Sequence, residues 1–440
     1  MTAGRVFVFL ILIVGGVGAF VDGQVFYVRL FYIGLLLLLL AGWLAISSLR
    51  GIRVERKARS LRATVGDVFE EHYEVTNNSR ARKFWLELSN ETSIPFARGS
   101  RVLTLIAPKQ KYSYTARTWL TARGGFPLGP TRISSGDPFG IFRVSKVFPA
   151  KESLVVLPML FNVASFLSPP GMLPGGQVIR RKSADVTPHA SGVREYVVGD
   201  PLKRIHWRTS VRRGQLMVKE FEQDPQSEVW LFLDAFHNAH IAKTGETFVP
   251  PPADDLFLLR RHKIKLQPSS LEYSISAAAS LANYFLAARR SVGLVTASGR
   301  TYKIIPAERS ERQEAKILEA LAFIHAESLF TLPALVAAQM GQLPQGSSAI
   351  LVTPTIHSEL TLAVDSLQRR GLRPVVVLMM TISFGARVGN EDLARSLEER
   401  RVPVCRVYCD EDLGVTLSSF YSQINSQDSS WRKPVLSHLT

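Results

Sequence analysis

R-E-Y-V-V-G-D-P-L-K-R-I-H-W-R-T-S-V-R-R-G-Q-L-M-V-K-E-F-E, from Arg194 to Glu222, passes from helix to strand within one stretch and opens the strand-and-helix rhythm of the chain's C-terminal half. Asp200 has a side-chain oxygen to offer orphan backbone N–H groups, and Pro201 presets φ at a first helical position. Leu202, Ile205 and Thr209 recur at helical spacing, Trp207 and Val211 fall on an adjoining face, and Gly214 supplies a left-handed stop. The spacing predicts a helix of about three turns starting at Pro201. Beyond it, Leu216, Val218 and Glu220 alternate with Met217 and Lys219, the period of a strand. Seven basic side chains stand against four carboxylates, so the stretch is either a solvated, capped connector or a charged docking surface.

Working downstream, Val229–Asp234 is a continuous apolar run ending in a carboxylate, as buried parallel strands do. An irregular stretch with Pro250-Pro251-Pro252 and a basic end comes next. Ser269 and Glu272 have capping-box spacing for a helix reaching Arg290. Strands are expected near 292–297, 302–305, 348–353, 375–379 and 403–408. Helices are expected near 311–326, 331–342, 357–370, 390–400 and 413–424. Alternation of this kind predicts a doubly wound α/β sheet.

Upstream, residues 6–21 are uncharged and apolar, Asp22-Gly23-Gln24 breaks the run, and residues 25–49 form a second run with Arg29 as its one charge. About 20 apolar residues span a bilayer core, so a transmembrane helical hairpin is the simplest reading. A cleaved secretory signal is the alternative, but A-F-V-D-G-Q is a poor cleavage site. Arg50, Arg53, Arg56, Lys57, Arg59 and Arg62 come after it against Glu55 alone, a juxtamembrane cluster expected on the cytoplasmic side, against anionic headgroups. Short runs at 68–76, 84–88, 101–107, 111–120 and 130–135, separated by turn residues, predict a small all-β sandwich of immunoglobulin-like kind. R-G-G-F-P-L-G-P from Arg123 and D-P-F-G-I-F-R from Asp137 read as tight turns around an aromatic. Residues 149–193, rich in Pro, Gly and basic side chains, read as a linker. The chain thus divides into a hairpin with its basic segment (1–62), a sandwich (63–148), a linker (149–193), an α/β domain (194–425) and a tail (426–440).

The 440 residues are 46% hydrophobic, enough for two or three cored domains, and the net charge of +16 points to an anionic neighbour, lipid or nucleic acid. Cys405 and Cys409 share one extended run, about 13 Å apart along a strand, too far for a disulfide, so free thiols in a reducing compartment are expected.

The stretch from Arg194 to Glu222 strongly resembles the signature of the bacterial family called domain of unknown function fifty-eight. The earlier turns R-G-G-F-P-L-G-P and D-P-F-G-I-F-R, and the later E-Y-S-I-S-A-A-A-S-L-A, resemble further motifs of that family. The resemblance implies a membrane hairpin, a β-rich domain and a domain like von Willebrand factor type A. It also implies a genomic neighbourhood of MoxR-type AAA+ ATPases and transglutaminase-like membrane proteins. Carried over by position, the recurring residues are Arg194, Tyr196, Gly199, Asp200, Arg204, Ile205, Trp207, Leu216, Val218 and Glu220. Von Willebrand type A folds hold a divalent cation on an Asp-x-Ser-x-Ser strand end, a Thr and a further Asp, oxygen ligands suited to a hard ion. Here Asp234 is followed by Phe236 and Asn238 in place of the serines, and Pro354-Thr355 stands where the second aspartate belongs. The cation position is degenerate at Asp234, Phe236, Asn238 and Thr355, and neither metal nor cofactor is expected. Asp234, His237 and His240 offer a different ligand spacing but lack a fourth ligand.

Three functions are consistent with these residues. The first is a membrane-anchored adaptor that docks proteins, a MoxR-type ATPase among them, through Arg194, Tyr196, Gly199, Asp200, Arg204, Trp207, Arg208, Arg212 and Arg213. Trp and Arg dominate interface energetics. Trp207 could equally plug a joint between domains, with Asp200 and Pro201 serving only as caps. The second is a cryptic hydrolase, against which stands the absence of G-x-x-x-x-G-K-[ST], H-E-x-x-H, G-x-S-x-G and paired C-x-x-C motifs. The third is a membrane-associated nucleic-acid binder, against which stands the lack of a recognised motif and the topological account of the charges at 50–62. No catalytic residue is assigned, and the small-molecule substrate, if one exists, is unknown.

Overall fold

The computed structural model describes residues 3–149, 151–167, 190–197, 205–221, 228–243 and 265–430. These belong to two compact units, Met1–Met159 with Thr247–Lys265, and Leu160–Glu246 with Leu266–Thr440. The chain is a mixed α/β protein with two apolar N-terminal helices.

In the first unit, α1 (Ala3–Val21) and α2 (Val25–Ser48) form an antiparallel pair around the turn at Asp22-Gly23-Gln24. Gly15 lets them approach, since a Cβ there would lie 2.7 Å from the backbone nitrogen of Phe31. Both helices are apolar on every side and leave Phe7, Val17, Leu36 and Trp43 exposed, which suggests membrane association.

Ten strands come after the helices: β1 (Ile52–Ala58), β2 (Arg62–Thr64), β3 (Val68–Asn77), β4 (Lys83–Asn90), β5 (Arg101–Ile106), β6 (Lys111–Trp119), β7 (Gly124–Pro127), β8 (Thr131–Gly136), β9 (Arg143–Phe148) and β10 (Ser153–Leu157). They form three sheets, ordered β1-β3-β6, β5-β4-β8-β9 and β2-β10-β7. Period-two burial builds one core from Tyr73 and Val75, Leu86 and Leu88, Leu103, Tyr114 and Ile133. A second core gathers Phe69, Leu120, Leu154 and Val156.

The basic segment at 50–62 carries a strand, since Ile52–Ala58 is β1, paired along its length with β3. Its Arg56 turns inward, and Nε donates at 2.8 Å to Oε1 of Glu71, whose side chain is 1% exposed. Arg59 pairs with Glu70 at 3.0 Å, and Arg53 with Glu55 at 2.9 Å. Burial raises Glu71 above the ordinary carboxylate range against the opposing pull of Arg56. The expected linker also carries structure in its described parts. β10 lies between β2 and β7, and Phe166 is buried in the second unit against the rings of Phe285 and Phe420.

Lys83, at the start of β4, donates from Nζ to Ser47 O at 2.6 Å, placing a cation on the last turn of α2, where the helix dipole favours one. Burial holds that ammonium below the usual lysine range.

In the second unit, β11 (Ala190–Glu195) pairs with β12 (Met217–Phe221) around α3 (Trp207–Arg213). Beyond them lie β13 (Val229–Leu233), α4 (Ser270–Ala287), β14 (Val292–Ser298), β15 (Thr301–Glu308), α5 (Glu311–Ala322), α6 (Leu332–Gln339), β16 (Ser348–Thr353), α7 (Glu359–Arg369), β17 (Arg373–Met379), α8 (Glu391–Glu399), β18 (Val404–Val407) and α9 (Leu413–Ser430). The large sheet runs β15-β14-β13-β16-β17-β18, parallel except at the β14/β15 edge. Both of its faces are covered. Trp230 and Phe232 join Leu335 of α6, Val364 of α7 and Leu397 of α8 in one cluster. Leu231 and Leu233 point the other way, towards the face where α4 meets β13, β16 and β17. Each fully buried Leu or Phe of this kind contributes about 2 kcal/mol.

Three local expectations are corrected. The helix expected from Pro201 begins at Trp207, because Ile205 is held in an antiparallel bridge to Val218. Ser269 and Glu272 make no capping box. The Ser269 side chain makes no cap bond, and Ser270 Oγ is engaged instead by Ile241 N at 2.9 Å. The last helix continues to Ser430, into the expected tail. Both cysteines are free and buried.

Candidate functional site

Two places in the second unit collect the residues singled out by the sequence. The first is α3. His206 caps it, its Nδ1 accepting from Thr209 N at 3.2 Å, while His206 N donates to Met217 O at 2.8 Å. Ser210 Oγ accepts from Met217 N at 2.9 Å and donates to His206 O at 3.1 Å, and Gly214 ends the helix at φ 68°. Ser210, Ile205, Met217 and Val218 are buried, so one side of this short helix is fixed to its hairpin. The other side is open, with Trp207 64% and Val211 81% exposed. They are four residues apart and share one face. Arg208, Arg212 and Arg213 are exposed around them.

Tyr196 is half-buried and its N donates to Leu216 O at 2.9 Å. Arg194 pairs in register with Val218. Gly199, Asp200 and Arg204 lie outside the described residues. The structure therefore brings Trp207, Arg208, Arg212 and Arg213 together on one short helix. His206, absent from the sequence-derived set, fixes that helix. Its signal was a polar residue between Ile205 and the first exposed aromatic.

The second place is the carboxyl end of the large sheet. Asp234 follows β13 and is buried; Oδ1 accepts from Phe236 N at 3.0 Å and Oδ2 from Thr353 Oγ1 at 2.6 Å. Thr353 Oγ1 in turn accepts from Thr355 N at 3.0 Å. Burial raises Asp234 above the ordinary carboxylate range, against the opposing influence of His240 and the two hydrogen bonds. His240 Nε2 lies 2.9 Å from the main-chain carbonyl of Asp234, and Nδ1 lies 3.2 Å from Ser270 Oγ. His237 turns away, its Nδ1 3.1 Å from Ser328 O. The Asp-x-x-His-x-x-His spacing thus gives no convergent ligand set among the described residues. At Asp234 each carboxylate oxygen accepts one hydrogen bond, and the neighbouring Phe236 side chain supplies no oxygen ligand. Asn390 closes this end of the sheet, donating to Met379 O at 2.9 Å and accepting from Thr381 N at 3.3 Å. Asp234 and Thr353 are 119 residues apart, so only the side-by-side placement of β13 and β16 reveals their contact.

The profile of the family described as "Protein of unknown function DUF58" matches residues 192–247, the segment that carries α3 and the start of the Asp234 loop. An uncharacterized protein, YeaD of Bacillus subtilis, is 28% identical over 219 residues, 47% of this chain and 54% of that protein. The two matches support a DUF58 family member. The aligned region spans about half of the relative's length. Among solved structures, the CARDB domain of a Pyrococcus furiosus protein aligns at 14% identity over 24% of this chain and 91% of its own, with a TM-score of 0.17. A Paenibacillus cycloisomaltooligosaccharide glucanotransferase aligns at 10% identity over 74% and 53% of the two chains, with a TM-score of 0.15. At such scores neither likeness bears on fold or activity.

Proposed function

We propose that this chain is a membrane-anchored adaptor, without catalytic chemistry of its own, that docks a protein partner on the outward face of α3. The observation that carries the reading is the pairing of Trp207 and Val211, 64% and 81% exposed, on a helix whose opposite side is fixed by buried hydrogen bonds. A rigid, exposed Trp among arginines has the composition of an interface hot spot. In this reading the second unit is a von Willebrand type A-like domain, supported by a mostly parallel six-stranded sheet covered on both faces. The strands of the first unit form an immunoglobulin-like sandwich, supported by the core that the sheets β1-β3-β6 and β5-β4-β8-β9 share. Basic residues directly after α2 support a cytoplasmic placement of both units at the inner membrane. The family resemblance supports a MoxR-type AAA+ ATPase as the partner, in protein assembly or maturation at that membrane.

The test is binding of the full chain, in lipid nanodiscs, to a purified MoxR-type ATPase. Loss of about 2 kcal/mol, roughly thirtyfold in Kd, is expected for Trp207→Ala, with weaker binding also for Arg208→Glu. Equal affinity of both variants and the parent chain, or no binding by any of them, overturns the reading.

A further inference from the structure

The turn Asp137-Pro138-Phe139-Gly140-Ile141-Phe142 lies between β8 and β9 and is packed into the open ends of the α1/α2 pair. Ile141 is buried with Val8 of α1 and Ala41 of α2. A Cβ on Gly4 would stand 2.2 Å from the carbonyl oxygen of Phe139, so only glycine permits this approach of the turn to the first turn of α1. A Cβ on Gly42 would stand 3.8 Å from the Phe142 ring. Arg5 Nε donates to Ile141 O at 2.7 Å.

Depth along the helices follows from geometry. The 24 residues of α2 rise about 36 Å, whereas a hydrocarbon core is about 30 Å thick. Ala41 precedes the end of α2 at Ser48 by seven residues, about 10 Å. With α2 centred, Ile141 lies about 7 Å inside the hydrocarbon boundary. Irregular backbone at that depth needs its polar groups satisfied from within the protein. Asp137 supplies this for the donors. Its Oδ2 accepts from Phe139 N at 2.8 Å and Ile141 N at 3.2 Å, and its Oδ1 from Phe142 N at 2.5 Å. Gly140 N donates to Asp137 O at 3.2 Å, and Pro138 has no N–H. Every N–H from residue 138 to 142 is therefore absent or engaged. Phe139 and Phe142 nevertheless remain 48% and 38% exposed. Apolar side chains facing outward, on a backbone with no free donor, suit lipid and not water.

We infer that this turn is a third membrane contact: a wedge that enters the acyl region beside the helix pair and sets Phe139 and Phe142 against lipid. The inference rests on reading α1 and α2 as membrane-spanning, and the test separates the two. The full chain is reconstituted in phosphatidylcholine–phosphatidylglycerol vesicles with the photoreactive analogue p-benzoylphenylalanine in place of Phe139, of Leu36 in mid-α2, or of Ser93. Ser93 is exposed in the loop after β4, beyond the strand end far from Lys83 and its bond to Ser47. After illumination, lipid adducts are expected at positions 139 and 36 and not at 93. Adducts at 36 but none at 139 overturn the wedge and leave the hairpin standing. Adducts at neither position overturn both, and adducts at all three show non-specific adsorption and overturn the wedge.

Discussion

Replacing Arg56 by Met tests whether the basic segment after α2 is built into the fold. The guanidinium side chain is 12% exposed and its partner Glu71 1%. Without it, Glu71 keeps only a 3.4 Å bond from the Tyr73 hydroxyl and a 3.5 Å bond from Asn90 Nδ2, both at the limit of hydrogen bonding. Leaving a buried carboxylate so poorly paired costs about 3–5 kcal/mol. Loss of the guanidinium's seat 5.5 Å over the Tyr73 ring adds about 0.5–1 kcal/mol. The assay is hydrogen exchange of the β1 and β3 amides in detergent, which reports the free energy of opening this sheet. The variant should open about 4 kcal/mol more readily at neutral pH. Glu71 already titrates above the usual range because of burial, and loss of Arg56 removes the force that opposes it. A raised carboxyl pKa gives stability that is full at low pH and lost as pH rises through the folded value, so acidification should shrink the defect. Arg56→Met with Glu71→Leu should recover most of the loss, since an apolar pair leaves no charge unpaired. A single-variant cost below about 1 kcal/mol, the size of an exposed pair, or a double variant as unstable as the single, would falsify this account of the segment.

Asp137→Ala should free the amides of residues 139, 141 and 142 and cost about 3 kcal/mol, read as faster exchange confined to that turn; unchanged protection there sinks the role given to the carboxylate. Asp234→Asn should be tolerated, because an amide oxygen can accept from Phe236 N while the amide nitrogen donates to Thr353 Oγ1. Burial raises the folded pKa of Asp234, so its contribution to stability falls as pH rises through that value. The variant's thermal stability should lose this slope, and an unaltered pH profile counts against it.

Elements announced by their own residues were legible in the sequence. The apolar runs of β13, β16 and β17 and the alternation in β3 and β6 stand out because burial on two faces or one writes itself into adjacent side chains. β1 was hidden because its inward position 56 is an arginine, whose reason, Glu71, lies 15 residues away. β10 was hidden by the Pro- and Gly-rich sequence beyond it. The start of α3 was misplaced because Asp200-Pro201 is a generic helix signal, whereas the Ile205 to Val218 bridge is a tertiary fact. Of the candidate site, Trp207 and the arginines after it were readable from type and spacing. The closure of Asp234 by Thr353 was not, since it depends on two strands being neighbours.

Only Leu49, Arg50 and Gly51 separate α2 from β1, and Lys83 clamps that junction from the side. The sheets of the first unit thus follow the helix pair with no slack tether between them. In the membrane-anchored reading proposed above, a bilayer thinner than α2 leans that helix over and swings these sheets with it, so membrane thickness is transmitted as orientation.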